Sequence, residues 1–529
     1  MKIKKLTALL LCAVLILALP GCGSEDKYSE DAIYSSIPES TGGKDVQKAE
    51  QVDNAFSLNS NSKYSFNPLT ATNHSNQLIC SLVYENMLDV DNSFNVISNI
   101  VNAEESFCND DGTYWTLKVN EGHTFHDGTP VTGKDVYYSI ERSIWSDRYR
   151  GRFASYQGAS YTEDTVFVSL GVGNKQMIKL LNLPVIKYGT NGDDYPIGSG
   201  PYTYNEDHTQ LLAYEGFAGY KDLDIKTIYI KEYTSAVDII SAFEDGYIDL
   251  VLNDPSSYSN LGYADINERH SYATTNMHYV MFNMSEGVGQ IPAFRFALSY
   301  AFDRARLPDL LGGYAVASAV PMYPTCEYYP TTLNNSLEYN MDTCKVILEN
   351  AGCKVNNGVY TYNGQEIELD FVLCSDSSAK AGIANRFADE MEKLGIIVNI
   401  HSLSWDDYIT ALEDGEFDLY YGEVKLRNDF DITELLQVRD EDNEKTNINY
   451  SGSHDESYMG YINAYLTASE LDRSAKYYQL CDYVCSTGSI ITIGFERQEV
   501  ISHRGVIKGI NPNAGNPLYD YVNWTIDLE

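Results

Sequence analysis

The chain has 529 residues, 43% of them hydrophobic, which is enough for a packed core in two or three domains. Its 75 acidic and 37 basic side chains leave a formal charge of −38. That balance excludes a nucleic-acid binder, because phosphate contacts need a basic surface that releases counterions. The acidic excess reads first as solubility through self-repulsion, with at most some bias toward cationic ligands. Tyrosine is abundant, 43 residues against 18 Phe, and its apolar ring with a polar tip suits binding clefts and wet surfaces.

Taken in chain order, the first element is an export signal. Lys2, Lys4 and Lys5 precede an apolar run over residues 6–19 that only Thr7 interrupts. The run is too short to span a bilayer comfortably and reads as a signal-peptide core. It ends in Leu19-Pro20-Gly21-Cys22, which resembles the lipobox of bacterial lipoproteins, with Pro20 in place of the usual Ala or Ser. The resemblance implies cleavage before Cys22 and a diacyl anchor on its thiol; two acyl chains hold a protein at a membrane where one is marginal. Cleavage takes away three lysines and no acid, so the mature formal charge is −41. Eight other cysteines remain after Cys12 leaves with the signal, and buried free thiols are the expectation for them. Residues 22–51 are rich in Ser, Glu, Asp, Lys and Gly and read as a disordered tether reaching about 30 Å.

Globular sequence begins near Phe56. Leu78, Ile79, Leu82 and Val83 share one helix face. Tyr114 to Val119 alternates as a strand, with Trp115, Leu117 and Val119 on one side. A turn at His126–Pro130 precedes Thr132, which stands three residues before Asp135 as in a capping box, and Val136, Ile140 and Ile144 continue as a helical stripe. The breaker-rich run from Tyr195 to Pro201 marks a lobe boundary. Residues 242–250 (AFEDGYIDL) recur as 411–419 (ALEDGEFDL), each a helix ended by Gly and followed by a strand. With further helix–strand alternation between Cys344 and Ile400, this predicts two α/β lobes of related design.

Motifs for chemistry are missing. Residues 128–135 (GTPVTGKD) approach a phosphate loop but end in Asp, which repels phosphate, and Pro130 removes a backbone donor. His123 and His126 stand three apart with no third metal ligand nearby and read as turn residues. No nucleophile elbow, zinc-protease motif or dinucleotide fingerprint occurs. The expectation is a protein that is not an enzyme and has neither cofactor nor metal.

Several motifs, in order, then point to one family. Residues 114–132 (YWTLKVNEGHTFHDGTPVT) followed by Asp135-Val136-Tyr137-Tyr138-Ser139 and Arg142 resemble the signature of the family 5 extracellular solute-binding proteins of ABC importers. Residues 197–202 (IGSGPY), Met281-Phe282-Asn283, residues 295–304 (RFALSYAFDR), the Lys345–Gly352 segment and Leu394-Gly395-Ile396 resemble further family segments. The resemblance covers about 56–529. It implies an α/β, two-lobed periplasmic-binding-protein-like fold with hinge strands and a small inserted α/β domain. Carried over, lobe I is 52–75, 196–285 and 495–529, the inserted domain 76–195, and lobe II 286–494. It implies a monomer held at the cell membrane, facing outward, that captures a small solute, a short peptide foremost, and delivers it to the permease. Nickel complexes, oligosaccharides and signal peptides are alternative ligands; a sensor lipoprotein and a surface hydrolase are the rivals outside transport. Peptide-binding relatives anchor the ligand's amino terminus on an aspartate in a W-x-x-D-Y-x-[DE]-P run. The corresponding stretch here lacks the Trp and the Pro, and the anchoring position falls on Asn428, or on Asp429 with a one-residue shift. Arg427, Asn428, Asp429 and Asp431 are therefore the candidate ligand residues of this loop. Trp405 and Tyr408 join them because they follow the 396–400 strand, where ligand loops tend to leave a sheet.

Overall fold

A computed structural model describes residues 54–256, 262–439 and 447–528. The signal peptide, Cys22 and the tether lie outside these residues. Among them, eleven strands form one mixed sheet. From one edge its order is Ile397–Leu403, Glu368–Cys374, Leu419–Lys425, Glu268–Phe282, Ile491–Ser502, Leu250–Asn253, Ser57–Ser60, Thr227–Glu232, Gln210–Ala213 and Tyr202–Tyr204, with Ala315–Ala317 added to Ile491–Ser502.

The two long central strands, Glu268–Phe282 and Ile491–Ser502, run antiparallel and carry the chain from one half to the other. Residues 268–273 pair with 497–502, whose last four residues pair in turn with Leu250–Asn253. From Asn276 onward the first strand also pairs with Leu419–Lys425 along its other edge. The core divides at the same place. One core holds buried side chains from Ala273 to Phe495, joined by Val90 and Phe94; the other holds Phe56 to Leu250, Tyr272 and Val500 to Leu528. The change of core thus falls inside the long strand, between Tyr272 and Ala273, because the two ends of one continuous strand serve different cores.

The inserted sheet is a four-stranded antiparallel one, in the order Val101–Cys108, Tyr114–Val119, Thr165–Leu170, Tyr156–Tyr161. Trp115, Leu117 and Val119 are buried while Tyr114 is exposed, as the alternation requires. The helix Gly133–Ser143 packs on this sheet. The Asp135 carboxylate accepts the Thr132 main-chain N–H at 3.1 Å and its hydroxyl at 2.8 Å, and Thr132 accepts in return. Its other oxygen accepts Tyr188 N–H at 2.9 Å. The residue that spoils the phosphate-loop pattern is thus a helix cap. His123 pairs with Glu85 at 3.1 Å, and His126 Nε2 hydrogen-bonds the Gly200 carbonyl at 3.0 Å. Both tie the inserted segment to its surroundings.

The helix His74–Val83, capped by Asn73, packs on Ser57–Ser60 and Leu250–Asn253. It therefore packs on the large sheet and not on the four-stranded one. Its apolar face, Leu78, Ile79, Leu82 and Val83, covers that sheet. Both copies of the repeated unit form helix and strand, Ala236–Glu244 with Leu250–Asn253 and Trp405–Asp414 with Leu419–Lys425. Gly246 and Gly415 turn the chain at φ +79° and +71°, a conformation that favours glycine. The cysteines Cys80, Cys326, Cys344, Cys353, Cys374, Cys481 and Cys485 are buried free thiols, and Cys108 is partly buried.

Candidate functional site

Where the long strands pass between the cores, the molecule encloses a cavity of about 320 Å³. Lobe I contributes the first turns of the helix His74–Val83, with His74, Gln77 and Ser81 on the wall. The segment after the inserted helix contributes Arg148, Tyr149 and Arg152. The first long strand reaches the wall at Tyr272–Asn276, where its register against the second slips: Ala273 faces Arg497, but Met277 already faces Phe495. Such a bulge re-aims side chains that a regular strand would point into a core. Lobe II adds residues 425–428 and Glu434, and the C-terminal segment adds 514–517.

The electrostatics of this wall oppose those of the whole chain. Arg148, Arg152, Lys425 and Arg427 line it, with Glu434 as the one lining carboxylate. Arg148 donates to the carbonyls of Pro68 and Ala71 at 3.4 and 3.2 Å, and Arg152 to those of Leu180 and Asn182 at 3.1 and 2.6 Å. Both guanidinium groups lie over the Tyr149 ring, 5.1 and 5.0 Å from its centroid. Lys425 is reached by solvent yet ringed by protein. Burial, then the charges of Arg148 and Arg152, lowers its ammonium to about 8, against an opposing pull from Asp254. Burial likewise lowers His74, with Lys425 and Arg148 adding to it and Asp254 opposing. Glu434 is raised by burial, with Arg427 opposing.

Two of the expected ligand residues, Arg427 and Asn428, stand on this wall. Arg427 Nη2 meets the Asp431 carboxylate at 2.5 Å, and Nη1 reaches the Gly151 carbonyl at 3.4 Å. Asn428 donates to the Lys179 carbonyl at 3.3 Å. Asp429 points away from the cavity and is fully buried. Its carboxylate accepts Asn174 Nδ2 at 2.8 Å and the Asp431 N–H at 3.2 Å, and its carbonyl accepts the Tyr465 hydroxyl at 2.7 Å. Burial raises its pKa, with Arg427 opposing. The following residue explains the direction. Phe430 has φ +53° and puts its ring against Phe94 and Phe495, which turns the loop inward. Asp431 accepts Thr433 N–H at 2.8 Å and is spent on that turn and on Arg427.

Trp405 and Tyr408 do not line the cavity. They sit on the helix Trp405–Asp414, which follows the outermost strand Ile397–Leu403 and packs on that strand and its neighbour Glu368–Cys374. Trp405 is 61% exposed, and buried Tyr408 donates its hydroxyl to the Tyr421 carbonyl at 2.9 Å. The residues missed from sequence are Arg148, Arg152 and Lys425. Their one local signal is the basic run RYRGR at 148–152 in an acidic chain.

Residues 101–431 match the bacterial extracellular solute-binding proteins, family 5. The chain belongs to that family. Its family 5 relatives include the oligopeptide-binding protein AppA of Bacillus subtilis, 22% identical over 452 residues that make up 79% of this chain and 80% of AppA. The glutathione-binding protein GsiB of Escherichia coli is 24% identical over 282 residues, 49% of this chain and 54% of GsiB, so this match spans about half of that relative. The solved structure of B. subtilis AppA with a nonapeptide shares the fold at TM-score 0.61 and 18% identity, covering 91% of this chain and all of AppA. A nickel ABC transporter structure from Bacillus halodurans does so at TM-score 0.71 and 18% identity, covering 89% of this chain and 99% of its own. The solved relatives are two-lobed binding proteins, which is the architecture expected from the sequence. The curated relatives are transport proteins and not enzymes.

Proposed function

We propose that this family 5 protein captures a small solute, short peptides foremost, in the cavity between its lobes and delivers it to the permease of an ABC importer. It acts without catalysis, as a monomer, outside the cell, tethered through residues 22–51 to an acyl anchor on Cys22. The observation that carries the reading is the cavity itself. It lies where two strands cross between separately packed cores, the place at which a hinge motion opens and closes a site. A ligand touching both walls stabilises the closed arrangement by binding it better than the open one. Oligopeptide binding in AppA supports the peptide class. Arg427 and Asn428 are the loop residues that meet the ligand.

Native mass spectrometry of the protein as purified tests the capture. A small-molecule adduct that leaves on denaturation is expected. Absence of an adduct, together with no binding to a peptide library, removes the reading. For the anchor, Cys22→Ala should shift the protein from the membrane fraction to the medium or leave it unprocessed; unchanged membrane association in detergent-free extracts removes the lipoprotein claim.

A further inference from the structure

Three of the four cations on the cavity wall, Arg148, Arg152 and Lys425, form no ion pair with a carboxylate among the described residues. In this chain acids outnumber bases two to one; several other cations are paired with carboxylates, while the core-buried Arg295 and Arg304 are spent on main-chain carbonyls and line no part of this cavity. Arg427 holds Asp431, Lys380 holds Asp376 and Glu423, and Arg269 holds Glu499. Arg148 and Arg152 meet main-chain carbonyls, and Lys425 makes neither a hydrogen bond nor an ion pair among the described residues. Chains of opposite origin bring them together: residues 148 and 152 come from the lobe I side, and Lys425 ends a lobe II strand. Burial, Arg148 and Arg152 together depress Lys425, so each of these cations disfavours its neighbour's charge. Gathering like charges on one wall costs free energy that a counter-charge relieves, modestly where solvent reaches them, as at Arg148 and Lys425, and more at the less exposed Arg152.

We infer that the cavity is built for an anionic solute, one carrying two or more carboxylate or phosphate groups, with Arg148, Arg152 and Lys425 as its anion-binding residues. This rests on the solute-capture reading and narrows it. The expected acidic anchor for a peptide ammonium is absent from the wall, since Asp429 is bound to Asn174, and Glu434 alone offers a negative charge. An acidic short peptide fits; a basic one is repelled. A ligand spanning Arg148 and Lys425 would also bridge the two lobes, so anion binding and closure are one event.

Titration calorimetry on the purified protein with tri-glutamate, tri-alanine, tri-lysine, citrate and inorganic phosphate decides it. Tri-glutamate or citrate should bind at least about tenfold tighter than tri-alanine, with tri-lysine undetected, and higher salt should weaken the anions. Citrate against phosphate separates the two anion chemistries. Lys425→Met and Arg148→Gln should each weaken the best anion by about tenfold or more, since a lost enclosed charge contact acts on dissociation. Lys345→Gln, a charge removed from an exposed helix, should leave it unchanged and so separates a local effect from net charge. Using both cavity variants keeps the test intact if one misfolds. Tri-alanine or tri-lysine binding as tightly as tri-glutamate overturns the anion inference and leaves solute capture standing. So does anion affinity unchanged in both cavity variants. A protein that retains no solute and binds none of the five probes removes both.

Discussion

Two charged regions meet at the junction of the lobes, and they are built in opposite ways. In the loop from Arg427 to Asp431 every charge has a partner: Arg427 with Asp431, Asp429 with Asn174, Asp431 also with Thr433. On the facing wall Arg148, Arg152 and Lys425 form no ion pair with a carboxylate among the described residues, although Asp254 pulls on the Lys425 ammonium. A satisfied buried charge positions backbone, because removing one partner strands the other. A cation on a cavity wall that forms no ion pair can take a counter-charge from a ligand. On the proposed reading Asp429 and Asp431 hold the loop's architecture, and the wall, with Arg427 and Asn428 on it, meets the ligand.

The comparison breaks first at Asp429. If the loop is architectural, Asp429→Ala should lower the unfolding free energy by about 2–4 kcal/mol, since it orphans the Asn174 amide and the Asp431 N–H in a sealed site. Urea denaturation measures the loss, and the preference of the folded variant for acidic over neutral peptides should persist. A variant of unchanged stability that had lost ligand discrimination would return Asp429 to the binding site.

The wall is sharpened by pH. The folded-state Lys425 titrates near 8, against 10.5 for a free lysine. Between these values the unfolded chain binds more protons than the folded one, so this group makes stability rise with pH over that window. Below about 8 both states are protonated and the penalty is fully present. Because solvent reaches Lys425, the gain is about 1 kcal/mol or less. Arg148, Arg152, His74 and Asp254 face this ammonium and set the curve. Denaturation curves from pH 7 to 10 should show the rise in unliganded wild type and lose it in Lys425→Met; identical slopes would mean the lysine is not confined. Anion affinity should fall across the same range as the ammonium loses its proton.

The smallest effect is expected at Trp405. Its exposed ring on an outer helix predicts that Trp405→Ala changes stability by less than about 0.5 kcal/mol and leaves ligand affinity unchanged. A drop in affinity with intact stability would put a second contact surface on lobe II.

What the amino-acid order determined alone is local. The capping box at Thr132 and Asp135, the alternation from Tyr114 to Val119 and the glycine stops at Gly246 and Gly415 each depend on residues within a few positions, where backbone geometry and side-chain chemistry act directly. Recurring in sequence, the helix–strand unit also announced two related α/β halves, and ordered motifs carried the family. Tertiary structure decided where charges end up. The loop 427–431 looked like a ligand anchor because its charges are adjacent in sequence; the left-handed turn at Phe430, fixed by packing against Phe94 and Phe495, sends Asp429 inward. Trp405 stands off this cavity because it follows Ile397–Leu403, which proved to be the sheet's outermost strand, a matter of strand order that no single strand encodes. The cationic wall was invisible for the same reason. Arg148, Arg152 and Lys425 come from segments more than 270 residues apart, and the chain's net charge, summed over every surface, has the opposite sign to the cavity that closes around them.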